Sequence, residues 1–188
     1  NQKNYANGIA KHDWILSIDA DEALSDELKN AIGLTKKEGL TGAYSFNRLT
    51  NYCGKWIKHS GWYPDTKVRL FDRRITQWIG TVHETLNVDA RTIKKLTGDL
   101  HHYSYYTISE HLAQTDKFSS LAATELQERG ASPSVFKAMF NAWLKFNKFY
   151  FIKMGFLDGV SGLNISVIAS YGTYLKYMKH YFLVRKNL

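Results

Sequence analysis

The fold is decided by one stretch of the chain, WILSIDADE, at residues 14–22. Its first part is a short apolar run with two β-branched isoleucines, which is typical of a buried strand. Two carboxylates, Asp19 and Asp21, follow where that strand is expected to end. Because ligands of α/β proteins bind beyond the ends of sheet strands, the stretch predicts a sheet with a candidate binding site at this point.

Several helix signals lie outward from this stretch. Residues 3–11 have the pattern of the end of a helix. Ser25 precedes an acidic pair, and a serine cap with an acidic first turn predicts a helix start. The segment Thr107-Ile108-Ser109-Glu110 has the spacing of a capping box, and Gly130 is the expected stop of the helix that it opens. Ser132-Pro133 predicts the start of a further helix with proline in its first position.

Alternation of apolar and polar residues predicts the remaining strands. They are expected at residues 43–49, 67–71, 75–79, 82–88 and 98–103. Residues 50–65, which are rich in aromatic side chains and glycine, are predicted as a loop. Strands and helices in this order predict the α/β class.

Composition excludes several classes of protein. The 188 residues are 44% apolar and 22% charged, which is typical of a folded globular chain and not of a disordered one. A single cysteine, Cys53, excludes a disulfide framework and a zinc cluster built on cysteines. The low cysteine content is compatible with a reducing cytosol.

The net charge of +8 is concentrated in the C-terminal part of the chain. Residues 133–188 contain eight basic side chains, one acidic side chain, Asp158, and 13 aromatic residues. The change in composition predicts two parts: residues 1–131, with balanced charge, and residues 132–188, a basic, aromatic and helical extension.

This basic extension has three interpretations: a surface for nucleic acid, a surface for anionic lipid, or an ordinary solvated helix face. Phe136, Phe140 and Trp143 follow helical spacing, which favours a buried or lipid-facing stripe over a platform for base stacking. Residues 159–175 lack charge but include three glycines and three serines, which argues against a transmembrane helix. We therefore expect contact with an anionic membrane surface and no binding of nucleic acid.

The paired carboxylates Asp19 and Asp21 are the first candidates for chemistry. Hard carboxylate oxygens suit Mg²⁺ or Mn²⁺, and a neutral imidazole from His102 is a sensible third ligand. His101 and His102 are adjacent on a predicted strand, so at most one of them faces a given site. A polar turn before the Ser25 helix explains the carboxylates equally well, and an ordinary core or surface histidine explains His102.

Other residues are weaker candidates by sequence alone. Glu84 is a possible general base, although a charged strand residue facing water has the same pattern. The rings of Trp62, Tyr63 and Trp78 suit stacking on a sugar or a base, and they suit packing in a core equally well. Arg69 suits a phosphate, or the solvent face of a strand.

The motifs occur in an order that resembles one known family. They are Lys3-Asn4, Asp13–Glu22, Gly61-Trp62-Tyr63-Pro64-Asp65, Arg69-Leu70-Phe71, Val82-His83-Glu84, His102-Tyr103-Ser104-Tyr105 and Gly155-Phe156-Leu157-Asp158-Gly159. Together they resemble the inverting family-2 glycosyltransferases, and among these the lipopolysaccharide core enzymes that add a β-linked glucose to heptose. The resemblance implies a GT-A fold that is truncated at its N-terminus, because the first βα units of the family have no counterpart in the chain.

The resemblance also implies the donor side of a site. It predicts a nucleotide-sugar donor, expected to be a UDP-sugar, bound with Mg²⁺ or Mn²⁺. Asp21 corresponds to the main metal ligand, and Asp19 to a residue that supports the metal or the donor ribose. His102 corresponds to the histidine that closes the metal and diphosphate site. Lys3 and Asn4 correspond to a segment that lines the nucleotide pocket.

On the acceptor side, the resemblance implies Glu84 as the catalytic base. It places a glycan or lipid-linked acceptor near Trp62, Tyr63, Asp65, Arg69 and Trp78. The expected location is the cytoplasm, peripheral at the inner face of the cytoplasmic membrane. Two alternatives remain open at this point: a metal-dependent hydrolase that uses the same carboxylates, and a non-catalytic module that binds the acceptor or docks on the membrane.

Overall fold

A computed structural model of the chain describes residues 2–80 and 85–186. It is a mixed α/β structure with two compact units, one of residues 1–49 and 64–102 and the other of residues 50–63 and 103–188. The predicted division of the chain into domains at residues 131 and 132 stays a prediction.

The first unit contains two helices and most of the strands. These are α1 (Gln2–Ile9), β1 (Trp14–Leu16), β2 (Glu22–Leu24), α2 (Asp26–Glu38), β3 (Ala43–Tyr52), β5 (Asp65–Asp72), β6 (Trp78–Ile79), β7 (Thr85–Leu86) and β8 (Ile93–Tyr105), where β3 and β8 continue into the second unit. The second unit adds β4 (Lys55–Ile57), α3 (Ile108–Glu128), α4 (Val135–Asn147) and α5 (Gly159–Lys186).

The main sheet has the strand order β1-β5-β3-β8-β2, with β4 added to the end of β3. The pairs β1–β5, β3–β5, β3–β4 and β2–β8 are antiparallel. The expectation of an α/β class is thus confirmed only as a mixed fold, and the argument from the ends of parallel strands does not apply to these pairs. In β2 and β8 the register places Glu22 opposite His102, which brings the acidic stretch beside a histidine.

The core of the first unit lies between α2 and the sheet. Leu28 of α2 packs in one cluster with Tyr44, Phe46 and Leu70 of the sheet. The Ser25 hydroxyl accepts a hydrogen bond from the Leu28 amide at 3.2 Å, so the predicted helix cap is confirmed. Gly98 allows β8 to approach this helix start, because a Cβ there would lie 2.4 Å from the Leu28 nitrogen.

Two short predicted strands differ from the structure. The predicted strand at 75–79 is reduced to β6, because a turn occupies the preceding residues: the Arg74 amide donates to the Asp72 carboxylate at 2.9 Å. Of the predicted strand at 82–88, the described part contains β7, and residues 82–84 lie outside the described residues.

The predicted loop at 50–65 is wrong in its first part, which forms a β-hairpin. Strand β3 continues to Tyr52 and pairs with β4, with Thr50 opposite Ile57. The turn between them contains Cys53 at φ 50° and Gly54 at φ 85°. A non-glycine residue in the left-handed region is uncommon, so this tight turn has little local sequence signal at Cys53.

The helices of the second unit follow their capping signals with one exception. The capping box from Thr107 to Glu110 opens α3, as predicted. Helix α4 begins after Ser134, whose hydroxyl accepts from the Lys137 amide at 3.2 Å, so the predicted start at Ser132-Pro133 is wrong. Proline lies just before the cap instead of in the first turn.

Helix α5 packs against both α3 and α4. The Ser170 hydroxyl donates to the Ala142 carbonyl of α4 at 2.7 Å. A Cβ at Gly172 would lie 2.6 Å from the Thr115 methyl of α3, so glycine is required for this close approach. Within the described residues no single helix is long and apolar enough to cross a membrane. The two helical segments 135–152 and 155–185, which meet at a bend, reach that length and apolar character only when they are counted together.

A buried carboxylate ties α5 to the hairpin of the second unit. Asp158, which is 3% exposed, accepts hydrogen bonds from the Lys58 amide at 3.2 Å, the His59 amide at 2.9 Å and the Ser60 hydroxyl at 3.2 Å. Lys55 donates to the Asp158 carbonyl at 2.6 Å. The one acidic residue of the basic extension is thus a structural group inside the fold.

A cluster of aromatic rings around His111 lies in the core of the second unit. His111 stacks on Tyr105 with ring centroids 4.6 Å apart, and its Nδ1 lies 3.1 Å from the Tyr52 hydroxyl. Burial lowers the pKa of His111 to about 4, and burial is also the largest cause that raises the pKa of Tyr52 to about 12. Both groups are therefore neutral across the physiological range.

Replacing Asp158 should destabilise the second unit. Asp158→Ala leaves the amide groups of the 58–60 turn without their acceptor, so we expect the free energy of unfolding to fall by about 2–4 kcal/mol. Urea unfolding followed by circular dichroism measures this. The control is Asp116→Ala in the same unit, which removes an ion pair to Lys179 with an exposed carboxylate and should cost less than about 1 kcal/mol. Equal losses in the two variants would contradict the structural role of Asp158.

The stability of the protein should fall as the pH drops from 6.5 to 4. In the unfolded chain His111 takes up a proton near pH 6.5, whereas in the fold its pKa is about 4, so unfolding binds an extra proton in this window. His111→Phe keeps a ring but cannot titrate, and should flatten the dependence by up to about 1.4 kcal/mol per pH unit. Urea titrations at several pH values test this, with His12→Phe at an exposed position as the control. The same slope in wild type and His111→Phe would refute it.

Candidate functional site

The acidic stretch after β1 forms a tight turn. The Glu22 amide donates to the Asp19 carbonyl at 3.0 Å, and the Asp19 amide donates to the Glu22 carboxylate at 2.9 Å. These two bonds close the turn on itself and bury the side chain of Glu22. Asp21 lies at the outer side of the turn, with its side chain half exposed.

A buried arginine holds this turn against the sheet. Arg69 of β5 is 5% exposed, and its Nη2 lies 2.8 Å from both the Asp19 carboxylate and the Glu22 carboxylate. Arg48 of β3 adds a longer contact to Glu22, at 3.5 Å. Buried charges are tolerated when they are paired in this way. Asp19 is therefore anchored by an ion pair, while Asp21 is not part of it.

The charge of Asp19 is set by this arrangement. Burial acts to raise the pKa of its carboxyl, but the hydrogen bond and the charge of Arg69, with the charges of Lys3 and Arg48, outweigh burial. The net result is a pKa below the usual value, so Asp19 is ionised at neutral pH.

Asp21 is paired with His102, as the antiparallel register of β2 and β8 allows. The Asp21 Oδ2 lies 3.2 Å from the His102 Nε2. In the part of the chain that the structure describes, the other ring nitrogen, Nδ1, is buried without a hydrogen-bond partner. His101, one position earlier on β8, lies opposite Ala23. The structure thus brings together two of the three residues that the sequence predicts as metal ligands.

The donor chemistry of this pair fits a divalent cation. A carboxylate oxygen and an imidazole nitrogen are both ordinary ligands, and Nε2 can bind a metal when the ring proton resides on Nδ1. Across residues 2–80 and 85–186, no group of three or more histidine, cysteine, aspartate and glutamate side chains is placed to hold a metal ion. Asp19 is held by Arg69 and does not complete such a group. The metal site at Asp19, Asp21 and His102 stays a prediction.

A basic cleft lies beside the turn in the same unit. It has a volume of about 480 Å³, and its lining includes Lys3, Arg48, Lys67, Arg69 and Trp78. Arg69 belongs to both features, since it lines the cleft and binds Asp19. Four cationic side chains around one cavity favour an anionic ligand such as a phosphate or diphosphate.

The N-terminal helix contributes to one wall of this cleft. Lys3 of α1 has its Nζ 4.3 Å from the centre of the Trp78 ring. Asn4 donates to the Trp78 carbonyl at 2.8 Å and accepts from the Trp78 amide at 2.9 Å. The indole Nε1 of Trp78 is buried and has no hydrogen-bond partner among the described residues. Lys3, Asn4 and Trp78, which the sequence assigned to donor and acceptor sites, thus meet at one place.

The other predicted acceptor residues fall in different surroundings. Asp65 begins β5 in the first unit, and its carboxylate lies 2.8 Å from the Arg48 guanidinium and 2.9 Å from the Lys67 ammonium. Trp62 and Tyr63 belong to the second unit, where Trp62 packs edge-on against Tyr52 with centroids 5.6 Å apart. The predicted base, Glu84, lies outside the described residues.

Sequence reasoning missed two residues of the site, Glu22 and Arg48. The acidic stretch contains Glu22, but no local pattern assigns it a role, and no motif includes Arg48. A buried glutamate needs a counter-charge, so the signal was an acidic residue beginning a strand with apolar neighbours at 23 and 24. Its partners lie on other strands, 26 and 47 positions away in sequence, which no local pattern reveals.

Comparison with known proteins gives no match to a family model and no match to a solved structure. Curated sequences do match. The uncharacterized glycosyltransferase RT0209 of Rickettsia typhi is 29% identical over 191 residues, covering 95% of this chain and 65% of the relative. An uncharacterized glycosyltransferase of Rickettsia bellii is 30% identical over 195 residues, with the same coverage of 95% and 65%.

A further match is the lipopolysaccharide core biosynthesis glycosyltransferase LpsC of Rhizobium meliloti. It is 24% identical over 200 residues, which cover 100% of this chain and 72% of LpsC. The chain spans 65% of the length of the two rickettsial relatives. The resemblance to glycosyltransferases is confirmed: the chain is a homologue of bacterial proteins named as glycosyltransferases.

Proposed function

We propose that this chain is part of an inverting family-2 glycosyltransferase with a GT-A fold, which transfers a sugar from a nucleotide-sugar to a glycan acceptor. The observation that carries the proposal is the turn of residues 19–22, where Arg69 anchors Asp19 and leaves Asp21 paired with His102. A carboxylate and an imidazole held in this way beside a basic cleft suit a nucleotide diphosphate and its cation.

The donor is a UDP-sugar, with glucose as the transferred sugar. Its diphosphate binds near the cationic side chains of the cleft, and its nucleotide contacts the wall formed by Lys3 and Trp78, which Asn4 holds in place through the Trp78 backbone. Asp21 and His102 would hold Mg²⁺ or Mn²⁺, which as a Lewis acid would offset the charge of the departing diphosphate. Asp19 supports this region through its ion pair with Arg69.

The acceptor supplies a hydroxyl that attacks the anomeric carbon from the side opposite the leaving group. Glu84 takes the hydroxyl proton, and a single displacement inverts the anomeric configuration. The acceptor is a glycan of the lipopolysaccharide core or another lipid-linked glycan, which is supported by the name of the relative LpsC. An acceptor of this kind places the protein in the cytoplasm, at the inner face of the cytoplasmic membrane.

Asp21 should be required for cation-dependent binding of the donor. Asp21→Asn keeps the size of the side chain but removes its charge, so we expect the affinity for a UDP-sugar in the presence of Mn²⁺ to fall at least about tenfold. Calorimetry on the full-length natural protein, with and without Mn²⁺, measures the change in donor affinity. Asp89→Asn, an exposed residue of the same unit, is the control and should bind like wild type. Unchanged affinity in Asp21→Asn would remove the metal site and the role of His102.

Glu84 should be required for turnover but not for donor binding. Glu84→Gln cannot accept a proton, so we expect kcat to fall roughly 10²–10⁴-fold while donor affinity stays unchanged. The assay follows transfer of labelled sugar to a lipopolysaccharide-core acceptor and the anomeric configuration of the product, with Glu38→Gln at an exposed position as the control. Near-normal turnover would place the base elsewhere. Release of free sugar without dependence on the acceptor would instead indicate a hydrolase.

A further inference from the structure

The segment between α4 and α5 exposes an unusual set of apolar side chains. We name residues 148–160 the apolar corner. Its exposed apolar residues have relative exposures between 46% and 83%, and they are Phe151, Ile152, Met154, Phe156, Leu157 and Val160. Scattered apolar residues are normal on a protein surface, but a group of large exposed apolar side chains within one short segment is typical of a binding surface.

The apolar corner continues a stripe on α4. The rings of Phe136 and Phe140 stack with centroids 5.9 Å apart, and those of Phe140 and Trp143 with centroids 6.0 Å apart. All three are exposed, whereas Ala138 on the other side of the helix is fully buried. The opposite side of α4 is therefore used for packing, and the aromatic side faces away from the core of its own unit.

Aromatic contacts join the end of α4 to the corner. Phe146, near the end of α4, lies 5.4 Å from Tyr150 and 6.3 Å from Phe151, measured between ring centroids. Tyr150 in turn lies 6.3 Å from Phe156. The end of α4 and the corner are thus joined by ring contacts, and the exposed stripe lies on the same helix.

The charge around this surface has one sign. Lys148 and Lys153 are exposed within the corner, and Lys145 lies with its Nζ 4.4 Å from the centre of the Phe149 ring. Burial lowers the pKa of Lys145, and the neighbouring positive charges add to that effect. The only acidic residue in positions 133–188 is Asp158, whose carboxylate is buried against the hairpin. Asp116 of α3 pairs with Lys179, whereas among the described residues Lys148 and Lys153 of the corner have no ion pair.

An anionic bilayer matches both the exposed apolar side chains and the positive charge of this surface. Apolar side chains of an interfacial helix enter the boundary between headgroups and acyl chains, tryptophan resides at the headgroup level, and lysines contact anionic lipids. A second copy of the chain is a poorer occupant, because a symmetric contact through this patch would bring the lysines of both copies into one interface. A protein partner would need an acidic rim around an apolar patch, and nothing else on this surface calls for one.

We propose that the apolar corner and the aromatic stripe of α4 dock this unit on an anionic membrane, lying in the interface without spanning it. Ile152 and Val160 enter the apolar layer, and Lys148 and Lys153 contact lipid phosphates or carboxylates. The proposal does not depend on the transfer of a sugar, since it concerns another unit of the chain and is tested without donor or acceptor.

The test is co-sedimentation with large vesicles of phosphatidylcholine, alone or with phosphatidylglycerol. The protein should bind the anionic vesicles and lose binding as salt increases. Ile152→Asp should weaken binding by at least about tenfold, because it places a charge in the apolar layer. The double variant Lys148→Gln and Lys153→Gln should weaken it on the order of 25-fold, since each lysine near an anionic surface contributes about fivefold.

The matched control is Ile75→Asp in the first unit. Ile75 and Ile152 are both 73% exposed, so the two variants make the same chemical change on surfaces of equal accessibility. Circular dichroism checks that each variant is folded. Binding that Ile152→Asp does not weaken, or that Ile75→Asp weakens equally, would overturn the proposal. So would a dimer in solution that Ile152→Asp converts to a monomer while binding to vesicles is unchanged or absent.

Discussion

The contact of Arg69 with Asp19 and Glu22 is the constraint on which the candidate site depends. Without the guanidinium, the buried carboxylate of Glu22 would lie beside Asp19 without its main counter-charge. With it, both carboxylates are paired and the turn is bound to β5. Because Arg69 and Glu22 are both nearly fully buried, their ion pair is shielded from water and the geometry of the turn follows that of the sheet. The position of Asp21 beside His102 is a consequence.

The second unit uses a buried carboxylate for the same purpose, with a different outcome at the surface. Asp158 accepts hydrogen bonds from backbone amides of the turn after β4, and its carboxylate thereby holds the hairpin to α5. In sequence it looks like the one acidic residue that balances a basic region. In the fold its carboxylate is bound to the turn after β4 and is not ion-paired with Lys148 or Lys153. The positive charge of the apolar corner is therefore not offset by direct contact with it.

Local signals predicted much of the fold, and the failures have physical causes. The β-branched run of β1, the Ser25 cap and the capping box at Thr107 each act within a few residues, so the sequence shows them directly. The hairpin after β3 was missed because its turn places Cys53 at a positive φ that cysteine seldom adopts. For the site, the sequence indicated Asp19, Asp21 and His102 as candidates. It could not show that Asp19 is engaged by Arg69, because the two residues are 50 positions apart and meet only through the pairing of β1 with β5.

The charges of the cleft couple the proposed donor to the proposed cation. The cleft has four cationic side chains, Lys3, Arg48, Lys67 and Arg69, but Asp19, Glu22 and Asp65 are ion-paired to three of them. Most of the positive charge is therefore already compensated before any ligand arrives. A nucleotide diphosphate brings further negative charge next to Asp21, which repels it unless a cation is bound there. The same carboxylates that order the arginines also weaken their attraction for phosphate. The proposed divalent cation at Asp21 and His102 would restore that attraction, so the proposed metal site and the anion site of the cleft would not act independently.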